Sequence, residues 1–177
     1  NMIELGPRET GKTYTYRNTS SRSFVISGGS TTPATLFFHK GLKRLGIIGQ
    51  RDVVYFDEIG RTRFADADAT VNILKDYMQT GQFSRGDQEF VAAASIVLAG
   101  NIEVDTDNKA PKPSDRYAHW LAVLPAEVNS DTAFIDRLNA YIPGWEFQKI
   151  RKERYAKGYG LMTDYFAEIL KRLRERA

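Results

Sequence analysis

The stretch from Gly6 to Thr13 constrains the fold of this chain more than any other feature of the sequence. It reads Gly-Pro-Arg-Glu-Thr-Gly-Lys-Thr and directly follows a short apolar segment. Two glycines in such a stretch let backbone N–H groups close around phosphate oxygens, and a helix that begins at the second, Gly11, directs its positive end at them. The pattern therefore predicts a strand, a phosphate-binding loop and a helix in immediate succession.

The residue types in this loop indicate a bound nucleotide with Mg²⁺. We expect Lys12 to reach the β and γ phosphates of ATP and the Thr13 hydroxyl to ligate Mg²⁺. Tyr14 could stack near the base or pack on the sheet. The alternative is a glycine turn with an exposed lysine. The predicted nucleotide-binding residues are Gly6, Pro7, Arg8, Glu9, Thr10, Gly11, Lys12, Thr13 and Tyr14.

A pair of carboxylates supplies the second part of the predicted site. Residues 53–56 form a continuous apolar run, typical of a strand buried on both faces of a parallel sheet, and Asp57 and Glu58 follow it at once. Asp57 at the strand end could hold Mg²⁺ through water, and Glu58 could be the general base that polarises the attacking water. The alternative for such a pair is a solvated turn.

Two further side chains complete the candidate catalytic set of Glu58, Asn101 and Arg137. Asn101 ends the next apolar run, where its amide could orient the same water beside the γ phosphate, or could simply favour a turn. Arg137 could project into the site of a neighbouring subunit and stabilise transition-state charge. An ion pair within its own helix is the alternative for Arg137.

The remaining pattern predicts an α/β fold. Apolar periodicity and turn residues predict strands at 23–26 and 94–99, a hairpin at 82–91, an edge element at 141–145 and helices at 33–45, 70–79, 131–140 and 161–173. Residues 102–118 are polar and predict a surface loop. The alternation predicts a mainly parallel sheet flanked by helices, with the last helix in a small separate lid.

Composition excludes several classes of protein. Of 177 residues, 42% are hydrophobic and 27% charged, which excludes fibrous and wholly disordered chains. Cysteine is absent and no apolar run has the length of a membrane span, so we expect a cytoplasmic protein without a membrane partner. Residues 149–177 carry 9 basic and 4 acidic side chains and could face nucleic acid or form the solvated side of an amphipathic helix.

The order of these motifs resembles that of AAA+ ATPases. Walker A corresponds to residues 6–13, Walker B to Asp57 and Glu58, sensor 1 to Asn101 and the arginine finger to Arg137. Within AAA+ proteins, residues 74–78, 81–86, 134–138 and 141–145 resemble the BrxL family of Lon-related proteins from BREX phage-defence systems.

This resemblance implies an AAA+ P-loop core over residues 1–148 and part of a helical lid over 149–177, as a fragment of a larger multidomain protein. It implies Mg²⁺-dependent ATP hydrolysis at the subunit interfaces of a homo-oligomeric ring, hexameric or of stacked hexamers. Coupling to binding or movement on double-stranded DNA in phage defence is implied, with other BREX proteins as further partners. Arg85, in the predicted hairpin, would then contact DNA or a neighbouring subunit, unless it is simply solvated.

Two rival functions stay open at this point. An ATP-driven protein unfoldase of a Lon-like protease would use the same nucleotide site, although this chain offers no Ser-Lys peptidase dyad to assign. A small-molecule P-loop kinase would act as a monomer.

The sequence departs from the AAA+ pattern at Glu9, where many such loops have glycine, and this predicts weaker nucleotide affinity. The sensor 2 arginine stays unassigned among Arg151, Arg154, Arg172 and Arg174.

Overall fold

The computed structural model describes residues 1–106, 110–174 and 176, so Asp107 and Asn108 of the predicted polar loop lie outside the described residues. The strands are β1 Met2–Gly6, β2 Ser23–Thr31, β3 Phe38–His39, β4 Arg44–Leu45, β5 Val53–Phe64, β6 Gln82–Arg85, β7 Gln88–Val91, β8 Ser95–Asn101, β9 Val104–Asp105, β10 Lys112–Pro113 and β11 Ala140–Pro143. The helices are α1 Lys12–Asn18, α2 Pro33–Leu36, α3 Ala67–Thr80, α4 Ala126–Asn129, α5 Thr132–Ile135 and α6 Thr163–Arg174.

A five-stranded sheet in the order β11-β1-β8-β5-β2 forms the centre of the fold, and every pairing in it is parallel. The first residues of β5 and the middle of β8 are buried, as expected for strands covered on both faces. Because the strands are parallel, their carboxyl ends lie at one edge, where Gly6 is paired with Asn101 and the pairing of β5 with β8 ends at Phe56. The predicted α/β class is confirmed.

Helices cover both faces of this sheet. On one face, α3 buries an apolar side that includes Leu74 and Tyr77, at the helical spacing predicted for residues 70–79. The helix ends at Gly81, which has φ +74° and donates its N–H to the carbonyl of Tyr77. On the other face, Tyr16 of α1 stacks on Tyr55 of β5 with ring centroids 4.9 Å apart.

The predicted helix over residues 33–45 is wrong beyond its first turn. Thr32 caps α2 as predicted, accepting a hydrogen bond from the Thr35 N–H at 3.1 Å, but the helix ends at Leu36. The chain then forms an antiparallel hairpin in which Phe38 is paired with Leu45. Gly46 is required here for close approach, because a Cβ at Gly46 would lie 2.5 Å from the backbone of Leu36. Its role is therefore not that of a helix stop.

The predicted helix over residues 131–140 is also too long. Asp131 caps α5, accepting a hydrogen bond from the Phe134 N–H at 3.0 Å, but α5 ends at Ile135. Residues from Ala140 onward pair with β1 as the edge strand β11, which confirms the predicted edge element near residue 141. Parallel pairing with β1 outweighs the helical propensity of this stretch.

Helix α6 has the predicted apolar stripe, but the structure leaves this stripe exposed. Its contacts with the core are polar: Lys171 pairs with Asp52 at 3.2 Å, and the Thr163 hydroxyl donates to the carbonyl of Asn18 at 3.0 Å. Among the described helices, none combines the length and apolar character needed to cross a membrane. The exposed apolar side chains are Leu161, Met162, Tyr165, Phe166, Ile169, Leu170 and Leu173.

Candidate nucleotide and magnesium site

Glycines shape the phosphate loop, residues 6–13, for two different reasons. Gly11 has φ +89°, a left-handed conformation that favours glycine, and α1 begins at the next residue. Gly6 instead lies against Gly144 after β11, and a Cβ at Gly6 would come within 2.5 Å of the Gly144 carbonyl carbon. The loop therefore starts from a strand that is held tightly by its neighbour.

Lys12 directs its charge into the loop. Its side chain is buried, and Nζ donates hydrogen bonds to the carbonyls of Gly6 at 3.1 Å and Pro7 at 2.6 Å. Burial lowers the pKa of Lys12, while the nearby negative charges of Glu4 and Asp57 act in the opposite direction. Lys12 therefore lies where the sequence predicts the phosphates.

Thr13 and Asp57 form the predicted magnesium pair. The Thr13 hydroxyl donates to Oδ2 of Asp57 at 2.9 Å, across the gap between α1 and β5. The other carboxylate oxygen, Oδ1, accepts hydrogen bonds from the Tyr55 hydroxyl at 3.1 Å and from the Glu58 N–H at 3.0 Å. Hydroxyl and carboxylate oxygens are ligands that Mg²⁺ prefers, so the residues present fit this ion.

Glu58 lies on an irregular part of β5. Ser27 of β2 is opposite Asp57, but Gly29 is opposite Thr62, so residues 58–61 of β5 face a single residue of β2. Glu58 has φ +51°, and bulges of this kind redirect side chains next to active sites. The Arg61 guanidinium lies 3.4 Å from Oε2 of Glu58. The bulge therefore places a carboxylate and a cation beside the loop.

These groups line one open cavity of about 570 Å³. It brings together the loop, the carboxylates of Asp57 and Glu58, and Asn101 at the end of β8. Arg61 is a lining residue that the sequence analysis did not single out. The described lining residues are Arg8, Glu9, Thr10, Gly11, Lys12, Thr13, Tyr14, Asp57, Glu58, Arg61 and Asn101.

Glu9 occupies a position suited to glycine. Its φ is +69°, and its carboxylate forms an ion pair with Lys149 at 3.1 Å. The Glu9 carbonyl also accepts a hydrogen bond from the Ile150 N–H at 2.8 Å. The pairing with Lys149 gives the acidic side chain a partner, while the left-handed backbone explains why glycine suits this position.

Arg137 does not line the cavity. It lies in the turn after α5, where its Nε donates to the carbonyl of Lys75 at 2.9 Å and another guanidinium nitrogen donates to Oε1 of Gln79 at 2.6 Å. A third contact is made with the carbonyl of Ala133. The arginine is thus fixed against the end of α3. The alternative prediction, an ion pair within its own helix, is not seen among the described residues.

None of the sensor 2 candidates among the described residues lines the cavity either. Arg174 donates to the carbonyl of Ala93 at 3.2 Å, and Arg172 pairs with Glu168 on its own helix at 3.2 Å. Arg154 donates to the carbonyl of Lys149 at 3.3 Å. That role stays unassigned.

Sequence reasoning missed Tyr55 and Arg61. Tyr55 counted as one apolar residue of a buried strand, although it lies two positions before Asp57 and therefore on the same face of that strand. Burial raises the pKa of Tyr55 above its ordinary value, so its hydroxyl is a neutral donor. The position of Arg61 in the sequence does not indicate a role at the site, because the bulge that turns it to the cavity is not visible in the sequence.

Comparison with known proteins identifies the family to which the chain is similar. The family model for the ATPase domain of Lon-like protease BrxL-like proteins matches residues 1–177. Lon-like protease BrxL of Escherichia coli O9:H4 (strain HS) is 45% identical over 177 residues, and that of Bacillus cereus (strain H3081.97) is 41% identical. The match covers 100% of this chain but only 24% and 25% of these relatives. The chain therefore spans about a quarter of their length.

Proposed function

Because the chain belongs to the family of BrxL-like ATPase domains, we propose that it binds ATP with Mg²⁺ in the cavity beside residues 6–13 and hydrolyses it with Glu58 as general base. The observation that carries this proposal is the contact of 2.9 Å between Thr13 and Asp57, which joins the loop to the carboxylate pair. Bound Mg²⁺ would neutralise the charge that develops on the phosphates.

Each side chain has a distinct role in this proposal. Lys12 holds the β and γ phosphates, and Thr13 and Asp57 hold the ion. Glu58 accepts the proton of the attacking water, and Asn101 orients that water.

We propose that Arg137 acts in the site of the next subunit of a ring, hexameric or of stacked hexamers. Support comes from a second open cavity of about 780 Å³, which shares Arg8, Glu58, Arg61 and Asn101 with the first and leaves room beside the proposed site for a residue of a neighbour. Arg137 is outside both cavities of its own chain, and in this proposal its guanidinium exchanges its contacts with Lys75, Gln79 and Ala133 for the neighbour's phosphates.

Mixed protomers test this role. A Glu58→Gln protomer and an Arg137→Ala protomer, each inactive alone, should regain part of the ATP turnover when mixed, because some interfaces then combine an intact base with an intact arginine. A mixture no more active than its separate parts would contradict action in the neighbouring site.

We further propose that the ATPase is coupled to double-stranded DNA in BREX phage defence, in the cytoplasm and with other BREX proteins as partners. The support is a surface formed by two adjoining hairpins, residues 38–45 and 82–91, which we call the hairpin surface. Phe38 and Phe90 join the hairpins with ring centroids 4.6 Å apart. The first hairpin has three exposed cations, Lys40, Lys43 and Arg44, and no acidic residue.

The charges of the first hairpin favour DNA over a polypeptide, whereas the second hairpin also exposes Asp87 and Glu89. Lys40, Lys43 and Arg44 form no ion pair with another described residue, so their charges are available to phosphates. The aromatic rings that an unfoldase would need for gripping a polypeptide are turned inward here, since Phe38 and Phe83 are buried. The predicted contact residue Arg85 is only partly exposed.

ATP turnover by the intact protein, with and without double-stranded DNA at two salt concentrations, tests this function. DNA should raise the turnover at low salt and less at high salt, and Glu58→Gln should lower turnover by about 10²- to 10⁴-fold while nucleotide still binds. Glu127→Gln, on the exposed side of α4, is the matched control. Turnover that responds to unfolded protein and not to DNA would support the unfoldase instead, and full turnover by a monomer would support a small-molecule kinase.

A further inference from the structure

A buried tyrosine orients the carboxylate of Asp57 from the interior of the protein. Tyr55 is fully buried, and its hydroxyl donates to Oδ1 of Asp57 at 3.1 Å. The Glu58 N–H donates to the same oxygen at 3.0 Å, and the Thr13 hydroxyl donates to Oδ2 at 2.9 Å. Two donors on one oxygen and one on the other define the plane of the carboxylate.

We propose that Tyr55 is a positioning residue for Mg²⁺, which holds Asp57 so that Oδ2 faces Thr13 and the phosphate loop. This inference rests on the proposed ATPase function. Of the donors to Oδ1, the Glu58 N–H belongs to the adjacent residue, while the hydroxyl of Tyr55 comes from the packed interior. Without that hydroxyl, the Asp57 carboxylate keeps one local hydrogen bond at Oδ1 and is free to rotate about its terminal torsion.

Packing around the Tyr55 ring holds its hydroxyl in one position against Asp57. Tyr55 stacks on Tyr16 at a centroid distance of 4.9 Å, and the Tyr16 hydroxyl in turn donates to Oε2 of the buried Glu4 at 2.7 Å. The two tyrosines therefore form a packed pair, but only one of them contacts the predicted metal ligand. Groups that hydrogen-bond to a metal ligand typically change metal affinity or activity by about 10- to 100-fold when removed.

Within the packed pair, Tyr16 provides the matched control for Tyr55. Tyr55→Phe and Tyr16→Phe each remove one hydroxyl from a buried, stacked ring, but Tyr16→Phe leaves Asp57 untouched. The experiment titrates Mg²⁺ into the purified protein with a fluorescent ATP analogue and measures the Mg²⁺ concentration at half-saturation. Nucleotide affinity in EDTA is measured alongside.

We expect Tyr55→Phe to raise the half-saturating Mg²⁺ concentration by about tenfold or more, with nucleotide affinity in EDTA unchanged, and Tyr16→Phe to leave this concentration unchanged. A shift below twofold for Tyr55→Phe, or an equal shift for both variants, would overturn the inference. So would an equal loss of nucleotide affinity with Mg²⁺ and in EDTA, because Tyr55 would then support the fold alone. Absence of Mg²⁺-dependent nucleotide binding in the unmodified protein would overturn the proposed function as well.

Discussion

Two regions of the molecule differ in how far their charged side chains are exposed. One is the nucleotide edge, where the loop meets Asp57 and Asn101, and the other is the hairpin surface. At the nucleotide edge Lys12 is 8% exposed and lies in a buried electrostatic network with Glu4 and Asp57. On the hairpin surface, Lys40 and its neighbouring cations are exposed and pair with no described residue. Buried charges are screened little by salt, whereas exposed ones are screened strongly.

This difference bears on how each region would recognise phosphate in the proposed function. The nucleotide edge holds each donor in a fixed direction, which suits one small ligand in one orientation. The hairpin surface presents flexible cations without fixed partners, which suits the repeating charge of a DNA backbone. Salt dependence is therefore the measurement that separates the two regions.

The largest expected effect is at the nucleotide edge. Lys12→Met should weaken ATP binding by about 10- to 100-fold, because hydrogen bonds from a charged donor are worth about 1.5–3 kcal/mol. Titration with a fluorescent ATP analogue at low and high salt should give a similar loss at both. Lys40→Met, the same change on the hairpin surface, should leave ATP affinity intact, and an equal loss in both variants would remove the distinction between the regions.

The next effect is on the hairpin surface. Replacing Lys40, Lys43 and Arg44 together by Gln should weaken DNA binding by about tenfold at moderate salt and flatten its salt dependence, since each lost phosphate contact removes about 0.9 from the slope of log affinity against log salt. Fluorescence anisotropy with labelled duplex DNA measures both quantities.

The control for this loss of charge is a triple from the basic C-terminal stretch whose cations are likewise exposed and form no ion pair with a described residue: Arg151, Lys152 and Lys157 changed to Gln. It should change DNA binding less than the hairpin triple does. A larger effect from the C-terminal triple would move the proposed DNA contact from the hairpin surface to residues 149–174.

The smallest effect concerns Glu9. Glu9→Gly should tighten ATP binding by about threefold to tenfold at low salt, because it removes a negative charge close to the phosphates and a left-handed backbone cost of about 1 kcal/mol. Glu9→Gln removes the charge but keeps the side chain, so it separates the two causes. Weaker ATP binding by both variants would indicate that the ion pair between Glu9 and Lys149 supports the loop.

Much of the nucleotide edge could be predicted from the sequence because its chemistry depends on local order. Glycines, Lys12 and Thr13 are adjacent in the chain, Asp57 directly follows the last residue of β5 that pairs with β8, and Asn101 ends β8. The topology of a parallel sheet brings strand ends together, so the position of each residue at a strand end is enough. The roles of these residues in catalysis stay predictions.

The predicted hairpin at 82–91 is confirmed, but the hairpin at 38–45 could not be predicted because it depends on the close approach of two segments of the folded chain. Leu36, Phe37, Leu42 and Leu45 mimic helical spacing, and Gly46 resembles a helix end. What decides the outcome is the contact of Gly46 with the backbone of Leu36, which only the folded chain shows. Helix α6 makes the same point in reverse, because the apolar period in the sequence was enough to predict the helix but not that its apolar side chains are exposed in the structure.

The close approach of Gly6 to Gly144 also has a consequence for folding during synthesis. Strand β1 precedes both of its neighbours in the chain, and the hydrogen bond between Asn1 and Asn139 spans 138 residues. Pairings of such long range lose chain entropy on loop closure before their contacts stabilise them, so they form late and slowly. During synthesis Gly6 leaves the ribosome before Gly144 does, so the loop that follows β1 lacks this support until the edge strand β11 has docked.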